Sequence, residues 1–169
     1  EWLDVHKAAH ELGLNSNTTM LYGHVDQRAE SITHMEILRK QQDHTLRDWA
    51  VAQGINDVPG DVVLTGDAGK YPMNRLPAPG HDGLDTGYFQ TIIPLPFFPD
   101  KSVLEHLPGP SGLENLRTLA ISRLMLDNMP HVKAFWIMQT LDMAQLMLQN
   151  GADDIDGTVV TTNGRNDIY

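Results

Sequence analysis

Helix-like and strand-like segments alternate along the whole chain, and this alternation limits the possible folds more than any other feature. Apolar spacing and capping residues predict helices over 2–12, 26 to about 53, 112 to about 128 and 142–150. Runs of β-branched and aromatic residues predict strands over 17–22, 88–93, 132–138 and 155–160. Because alternating strands and helices imply parallel crossover connections, the sequence predicts an α/β fold.

Four strand and helix units amount to about half of an eight-stranded α/β barrel, which typically takes roughly 250 residues. A small doubly wound sheet is the alternative. Between residues 54 and 85 the composition changes, and the chain becomes rich in proline and glycine, with one short strand predicted over 62–64. Loops of this length are uncommon in compact domains and are usually functional or inserted.

Composition excludes several classes of function. The 169 residues carry a formal net charge of −10, which repels phosphate backbones, so we expect no nucleic-acid partner. The chain has no cysteine, which excludes disulfides, a cysteine nucleophile and cysteine-ligated zinc or iron–sulfur sites within it. We expect no membrane partner and a cytoplasmic location, since the chain shows neither an apolar run of about 18 residues nor a signal peptide.

The candidate sites follow from where parallel α/β folds place their chemistry, at the carboxyl ends of the strands. The first strand runs into Tyr22, Gly23, His24 and Asp26. Here the glycine would let a ligand approach the backbone, and the imidazole could serve as acid, base or hydrogen-bond donor. A turn glycine followed by an exposed histidine is the simpler interpretation.

The other strand ends offer polar and aromatic candidates. Pro94 and Phe97 follow the second strand and could form a pocket wall or a rigid loop. Gln139 follows the third strand, where an amide can orient a polar substrate. Asp156 and Thr158 lie toward the end of the fourth, whereas Asp153 and Asp154 are predicted to precede it, at the wrong end for chemistry.

His6 and His10 have the helical spacing of a zinc pair, but the segment lacks the glutamate of a zinc-protease motif. No third ligand is evident in the sequence. A solvated helix face is therefore the favoured interpretation, and we expect no metal site formed by this chain.

Several runs, in this order, resemble the aminofutalosine synthase family of radical-SAM enzymes, which acts in the futalosine route to menaquinone. They are 6–14 (HKAAHELGL), 15–25 (NSNTTMLYGHV), 38–39 (LR), 42–43 (QD), 86–89 (TGYF), 93–95 (IPL), 122–128 (SRLMLDN), 130–138 (PHVKAFWIM) and 151–160 (GADDIDGTVV). Each run alone is weak, whereas the ordered set covers roughly two-thirds of the chain. The related cyclase of the same pathway shares two of the runs but differs around 93–95 and after 151.

The resemblance implies about four strand and helix units from the C-terminal part of a TIM-like radical-SAM barrel. A [4Fe–4S] cluster and an external electron donor would cleave S-adenosylmethionine (SAM). The resulting 5′-deoxyadenosyl radical would add to 3-[(1-carboxyvinyl)oxy]benzoate and give aminofutalosine, an alkyl transfer. On this interpretation Tyr22, Gly23, His24 and Asp26 bind the cofactor. The substrate would be bound by Pro94, Phe97, Gln139, Asp156 and Thr158.

The chain also departs from the family pattern. The cluster-binding Cys-x3-Cys-x2-Cys loop is absent, so we expect a fragment whose N-terminal barrel part is missing and which is inactive alone. The family usually has Glu and, a few residues on, Arg where this chain has Asp26 and Ser31, although Arg28 is nearby. Residues 1–160 would form the barrel part, with an insertion at about 46–85, and 161–169 a tail that lacks the expected charged run.

Two further hypotheses come from other classes of function. One is a cluster-free α/β scaffold or binding domain. The other is an unrelated barrel hydrolase or lyase that uses His24 and Asp156, for which the sequence supplies no complete acid–base pair. An isolated half-barrel should also expose sheet edges and apolar surface, so we expect the chain to aggregate or dimerise.

Overall fold

A computed structural model of the chain describes residues 1–52, 54 and 87–156. Their helices are α1 (Trp2–Glu11), α2 (Arg28–Ala52), α3 (Gly112–Met125), α4 (Trp136–Gln139) and α5 (Leu141–Leu148). Their strands are β1 (Ser16–Tyr22), β2 (Phe89–Pro96), β3 (His131–Ala134) and β4 (Asp154–Ile155). Among these residues, none of the helices combines the length and apolarity that a membrane crossing requires.

The four strands form one parallel sheet in the order β1-β2-β3-β4. This confirms the predicted α/β fold. Each new strand lies beside the previous one, as in a barrel, whereas a doubly wound sheet reverses direction after its first strands. The sequential order therefore favours a barrel segment over the doubly wound alternative.

The two faces of the sheet differ in character. One face packs against the helices through a continuous apolar core, to which β1, β2 and β3 contribute Met20, Phe89, Ile92, Val132 and Ala134. The helices contribute Met35, Leu38, Leu119, Ala144 and Met147, and Leu126, Met129 and Ala152 join from connecting segments. Side chains on the other face alternate with these, and on β1 they are the exposed Asn17, Thr19 and Leu21. We call this second side the open face.

A buried polar network fixes α2 to the segment between α3 and β3. The Asn128 amide donates to the Arg39 carbonyl at 3.0 Å and to the Asp43 carboxylate at 2.8 Å. The Arg39 guanidinium pairs with Asp127 and donates to the Met125 carbonyl at 2.8 Å. All five residues belong to runs that carry the family resemblance, and in the structure their role is to join elements about 85 residues apart.

The second strand is longer than predicted, because Pro94 and Pro96 do not end it. β2 pairs with β3 only at Thr91 and Ile92, but with β1 as far as Pro96. The Phe97 N–H donates to the Tyr22 carbonyl on β1, so alternation turns the nitrogens of both prolines away from β1. Proline is tolerated there because no described strand requires its missing N–H.

The third strand is shorter than the predicted 132–138. It ends at Ala134, and Trp136–Gln139 forms a short helix instead. The preceding helix ends at Met125 rather than near residue 128, where the network around Asn128 begins. The fourth strand starts at Asp154, so the expectation that this residue precedes the strand is wrong. The remainder of predicted strand 155–160, and the predicted strand at 62–64, lie outside the described residues.

Candidate functional site

The turn after β1 depends on a glycine in the left-handed region. Gly23 has φ +83°, which residues with a side chain rarely adopt. A Cβ atom at this position would lie 2.7 Å from Cβ of Pro110, in the loop before α3. The glycine therefore permits both the backbone turn and the close approach of the neighbouring loop.

Asp26 organises the same turn with its carboxylate. Oδ1 accepts hydrogen bonds from the backbone N–H groups of Gly23 and His24, each at 2.9 Å, and from Nδ1 of His24 at 2.6 Å. Oδ2 accepts from the Ser31 hydroxyl at 3.3 Å. Burial would raise the pKa of Asp26, but the hydrogen bonds from His24 and Gly23 outweigh it and hold that pKa below its ordinary value.

His24 is consequently held in one orientation. Its Nδ1 is bonded to Asp26, and its ring lies 5.9 Å from the ring of Phe97. The side chain is 23% exposed, and no described residue hydrogen-bonds its Nε2. An imidazole fixed through one nitrogen presents the other to a ligand, as a hydrogen-bonding group or as an acid or base.

Tyr22 directs its hydroxyl into the protein. The hydroxyl donates to Oδ1 of Asn115 at 2.8 Å and accepts from Nε2 of Gln139 at 3.4 Å. Burial, with a smaller contribution from the charge of Glu114, raises the pKa of Tyr22 above its ordinary value. The structure thus joins two predicted site residues, Tyr22 and Gln139, through a buried contact that also fixes α3.

A cavity of about 380 Å³ opens beside this turn, between the first turns of α2 and α3. Its charged lining consists of Asp26, Arg28, Glu114 and Arg117. Arg28 and Glu114 form an exposed ion pair at 3.7 Å across its mouth. The cavity therefore offers groups of both signs, with the His24 imidazole at one side.

Of the two candidate residues at the end of β2, Phe97 lies at this site and Pro94 does not. Phe97 lies beside His24 because its backbone N–H bonds the carbonyl of Tyr22 at 2.8 Å. Pro94 is buried within the sheet, opposite Met20 in the register. The aromatic residue is therefore placed at the turn, whereas the proline is part of the sheet.

Asp156 lies at a second place, at the end of β4. Its Oδ1 is 3.3 Å from Nζ of Lys133, which is also 3.2 Å from Oδ2 of Asp154. Thr158 lies outside the described residues. Asp153, in contrast, pairs with Arg123 and accepts the N–H of Val132, so it connects neighbouring elements.

Sequence reasoning missed Lys133, Asn115 and Pro110. A signal existed for the lysine, because a charged residue between two apolar residues in a strand predicts that its side chain faces away from the core. Asn115 and Pro110 carried no such signal, since their contacts with Tyr22 and Gly23 cross about 90 residues of sequence.

His6 and His10 meet at the other end of the sheet, where both rings are hydrogen-bonded to the Ser16 hydroxyl, at 3.0 and 2.8 Å. His10 is buried, so the favoured interpretation of a solvated face is wrong for this residue. Within the described part of the chain, no three acidic or histidine side chains are placed to hold a metal ion.

Comparison with known proteins extends the family resemblance. The family described as CofH/MqnC C-terminal region matches residues 86–166. Aminodeoxyfutalosine synthase of Thermus thermophilus is 35% identical over 94% of this chain, and that of Streptomyces coelicolor is 34% identical over 95%. FO synthase of Mycobacterium tuberculosis is 29% identical over 94% of the chain. The chain spans 33% of the length of either aminodeoxyfutalosine synthase and 14% of the FO synthase.

Proposed function

We propose that the chain, whose residues 86–166 match the CofH/MqnC C-terminal region family, is the substrate-side part of an aminodeoxyfutalosine synthase. The observation that carries the proposal is the likeness to two such synthases at 34–35% identity over nearly the whole chain. The FO synthase, at 29%, is less similar over the same extent, which favours the futalosine-pathway reaction.

The chain's own donor groups do not fit an iron–sulfur cluster, because it contains no cysteine thiolate. We propose that a further region supplies the cluster and the rest of the barrel, and that an external donor supplies the electron. When bound, the cluster and SAM would supply the radical chemistry of the proposed alkyl transfer to 3-[(1-carboxyvinyl)oxy]benzoate.

The turn after β1 fits the proposed role of binding SAM. Nε2 of His24 is the group available for a hydrogen bond, and Gly23 allows close approach of a ligand to the backbone. Asp26 acts through His24, since its carboxylate fixes the ring. Tyr22 acts through its bonds to Asn115 and Gln139, which hold the end of β1 against α3 and α4.

The substrate side, on this proposal, follows the ends of β2 and β4. Phe97 forms an apolar wall next to His24, and Asp156 offers a carboxylate on the open face. Pro94 contributes by shaping the end of β2, and Gln139 by its bond to Tyr22. Thr158 lies outside the described residues and stays a predicted substrate-binding residue. The protein's contribution is to orient the reactants, while the cofactor supplies the reactive species.

The first experiment is to sequence the coding DNA upstream of Glu1. An in-frame Cys-x3-Cys-x2-Cys segment is expected. The complete protein is then assayed anaerobically with SAM, a reductant and 3-[(1-carboxyvinyl)oxy]benzoate, and aminofutalosine is measured by mass spectrometry.

Formation of the product would support the proposal. Cleavage of SAM without that product would instead favour a relative with another substrate, such as the cyclase. A start codon directly before Trp2, with no separately encoded cluster protein, would leave a cluster-free binding domain and overturn the assignment.

A further inference from the structure

The cavity beside the turn after β1 lies on the helix side of the sheet. Tyr22 lines this cavity and follows Met20 by two residues, so both side chains are on the face that packs against the helices. The Tyr22 hydroxyl accordingly reaches Asn115 on α3. Leu21, between them, is exposed on the open face. The cavity is therefore a separate space from the open face of the sheet.

Two facing stripes of side chains form the walls of this cavity. The lining residues recur at i, i+3, i+4 and i+7 on each helix, a spacing that places side chains on one side of a helix. On α2 they are Arg28, Ser31, Ile32 and Met35, and on α3 they are Glu114, Arg117, Thr118 and Ile121. The groove between the helices is thus open over about two turns near their N-termini.

Part of the lining is aliphatic. Ile32 and Ile121 are each 39% exposed, whereas Met35 beside them belongs to the buried core. Pro108 and Pro110 add apolar surface from the loop before α3. The volume of about 380 Å³ falls in the range of small-molecule sites, roughly 300–1,000 Å³. The groove can therefore take the apolar body of a small molecule.

The charged groups of the lining differ in whether they are already paired. Both oxygens of Asp26 accept hydrogen bonds within the turn. Glu114 pairs with Arg28 through Oε1 and accepts the Ser111 N–H through Oε2. The Arg117 guanidinium, in contrast, has no hydrogen-bond or ion-pair partner among the described residues. A guanidinium offers only donors and binds a carboxylate through two parallel hydrogen bonds, so the unpaired group of this groove selects an anion.

We propose that the groove between α2 and α3 binds a small aliphatic carboxylate, with its carboxylate at Arg117 and its chain against Ile32 and Ile121. The site is additional to the proposed reaction, because it lies on the helix side of the sheet. One free cation matches a single carboxylate, whereas a phosphate carries about two charges and would face Glu114 and Asp26 as well.

The test uses the full-length gene product and two probes of the same chain length. Hexanoate carries the carboxylate, and hexanamide replaces it with an uncharged amide. Dissociation constants are measured by ligand-observed NMR titration for the wild type, Arg117→Gln and Arg117→Lys. Lys101→Gln is the matched control, since it removes one positive charge from a side chain that is 90% exposed and outside the lining. Ile121→Trp fills the aliphatic part of the groove, and Ile121→Phe replaces it if that variant fails to fold.

Loss of hydrogen bonds to a charged group corresponds to a loss of affinity of roughly tenfold or more. We therefore expect Arg117→Gln to weaken hexanoate binding at least about tenfold and to leave hexanamide binding within about threefold of the wild type. Arg117→Lys should bind hexanoate with intermediate affinity, because an ammonium is a point charge without the planar fork. Ile121→Trp should weaken both probes about tenfold or more, and Lys101→Gln should weaken neither.

Gly23 and His24 also line the cavity, so competition with SAM is the sharpest check. Saturating SAM should leave hexanoate affinity within about threefold, and inorganic phosphate should not displace hexanoate. Displacement by SAM or by phosphate, wild-type affinity in Arg117→Gln, an equal loss in Lys101→Gln, or no saturable binding by the wild type would each overturn the proposal.

Aminofutalosine formation is assayed on the same preparation, which keeps the two proposals distinguishable. Hexanoate binding in the expected pattern without aminofutalosine would refute the proposed reaction and leave the carboxylate site standing. Aminofutalosine formation without that pattern would do the reverse.

Discussion

Gln42 on α2 exchanges two hydrogen bonds with the backbone of Phe89, the first residue of β2. Its Nε2 donates to the Phe89 carbonyl and its Oε1 accepts the Phe89 N–H, each at 2.9 Å. The glutamine amide thus takes the place of a neighbouring strand at the first residue of β2. Both partners are fully buried, so this contact fixes where the second strand begins.

Two substitutions at Gln42 test the contribution of these two hydrogen bonds to stability. Gln42→Met should lower the free energy of unfolding by about 2–4 kcal/mol, because it leaves a buried N–H and a buried C=O without partners. Gln42→Glu keeps an acceptor for the Phe89 N–H and places a charge in the core, so it should lose stability as well and regain part of it in acid. Urea unfolding at pH 7 and pH 5 measures both; a Gln42→Met protein as stable as the wild type would contradict the role assigned to this contact.

Gly23 and Gly54 form a natural pair of test positions. Both have positive φ, +83° and +78°, but a Cβ at Gly23 collides with Pro110 whereas nothing lies within 4 Å of one at Gly54. Gly54→Ala should therefore cost only the backbone strain, about 1 kcal/mol, and Gly23→Ala about 1–2 kcal/mol more. The difference in urea midpoint between the two variants reports the collision.

The collision has its own control. Adding Pro110→Ala to Gly23→Ala removes the ring atoms that lie 2.8 and 2.9 Å from the new Cβ. The double variant should recover part of the lost stability relative to Gly23→Ala. If it recovers nothing, the cost at this position comes from the backbone and from the Cβ of residue 110, which alanine retains.

Local signals were sufficient for most elements of the fold. The capping box at Ser111 and Glu114 is present in the structure, and the Thr140 side chain accepts the N–H of Met143 as a helix cap does. These features depend on neighbours within a few residues. The length of β2 and the helix at Trp136–Gln139 depend instead on which strand lies alongside, and that information is not local.

The candidate site shows the same division. The rule that chemistry follows strand ends predicts a site at His24, and the structure places Phe97 beside this residue. Sequence could not indicate that Tyr22 turns its hydroxyl toward Asn115, 93 positions away. Nor could it indicate that Asp26 uses its carboxylate on its own turn, because that depends on the left-handed backbone of Gly23.

Asp26 is expected to contribute strongly to the stability of the turn, because its carboxylate accepts hydrogen bonds from Gly23 and His24. Asp26→Ala leaves two backbone N–H groups and one imidazole without their acceptor, and should lower the free energy of unfolding by about 2 kcal/mol. Asp26→Asn keeps an acceptor oxygen and should lose less. Ser31→Ala removes only the 3.3 Å contact and is the control, with an expected loss below about 1 kcal/mol. Thermal unfolding of the three variants tests this order, and a larger effect from Ser31→Ala would contradict it.

Tyr22→Phe separates a structural role from ligand binding. The variant removes one hydroxyl and leaves Oδ1 of the buried Asn115 without a donor, so we expect a loss of about 1–2 kcal/mol in stability. The affinity of the complete protein for SAM should stay within about threefold, because the hydroxyl faces the protein. A variant of wild-type stability with much weaker SAM binding would show direct contact between Tyr22 and the cofactor.

The buried His10 makes the free energy of unfolding depend on pH. It is 2% exposed, and burial, with a smaller contribution from His6, lowers its pKa from 6.5 to about 4. The unfolded chain therefore binds this proton first, so the stability contribution is present above about pH 6.5 and is lost as pH falls toward 4. Between pH 7 and 5 we expect the wild type to lose about 1–2 kcal/mol of stability from this residue.

His10→Gln should reduce this pH dependence of the free energy of unfolding, measured by urea unfolding. A smaller dependence should remain from His6 and His34, whose pKa values burial also lowers. His106→Gln, an exposed histidine, should keep the wild-type dependence, and an unchanged slope in His10→Gln would place the acid sensitivity elsewhere.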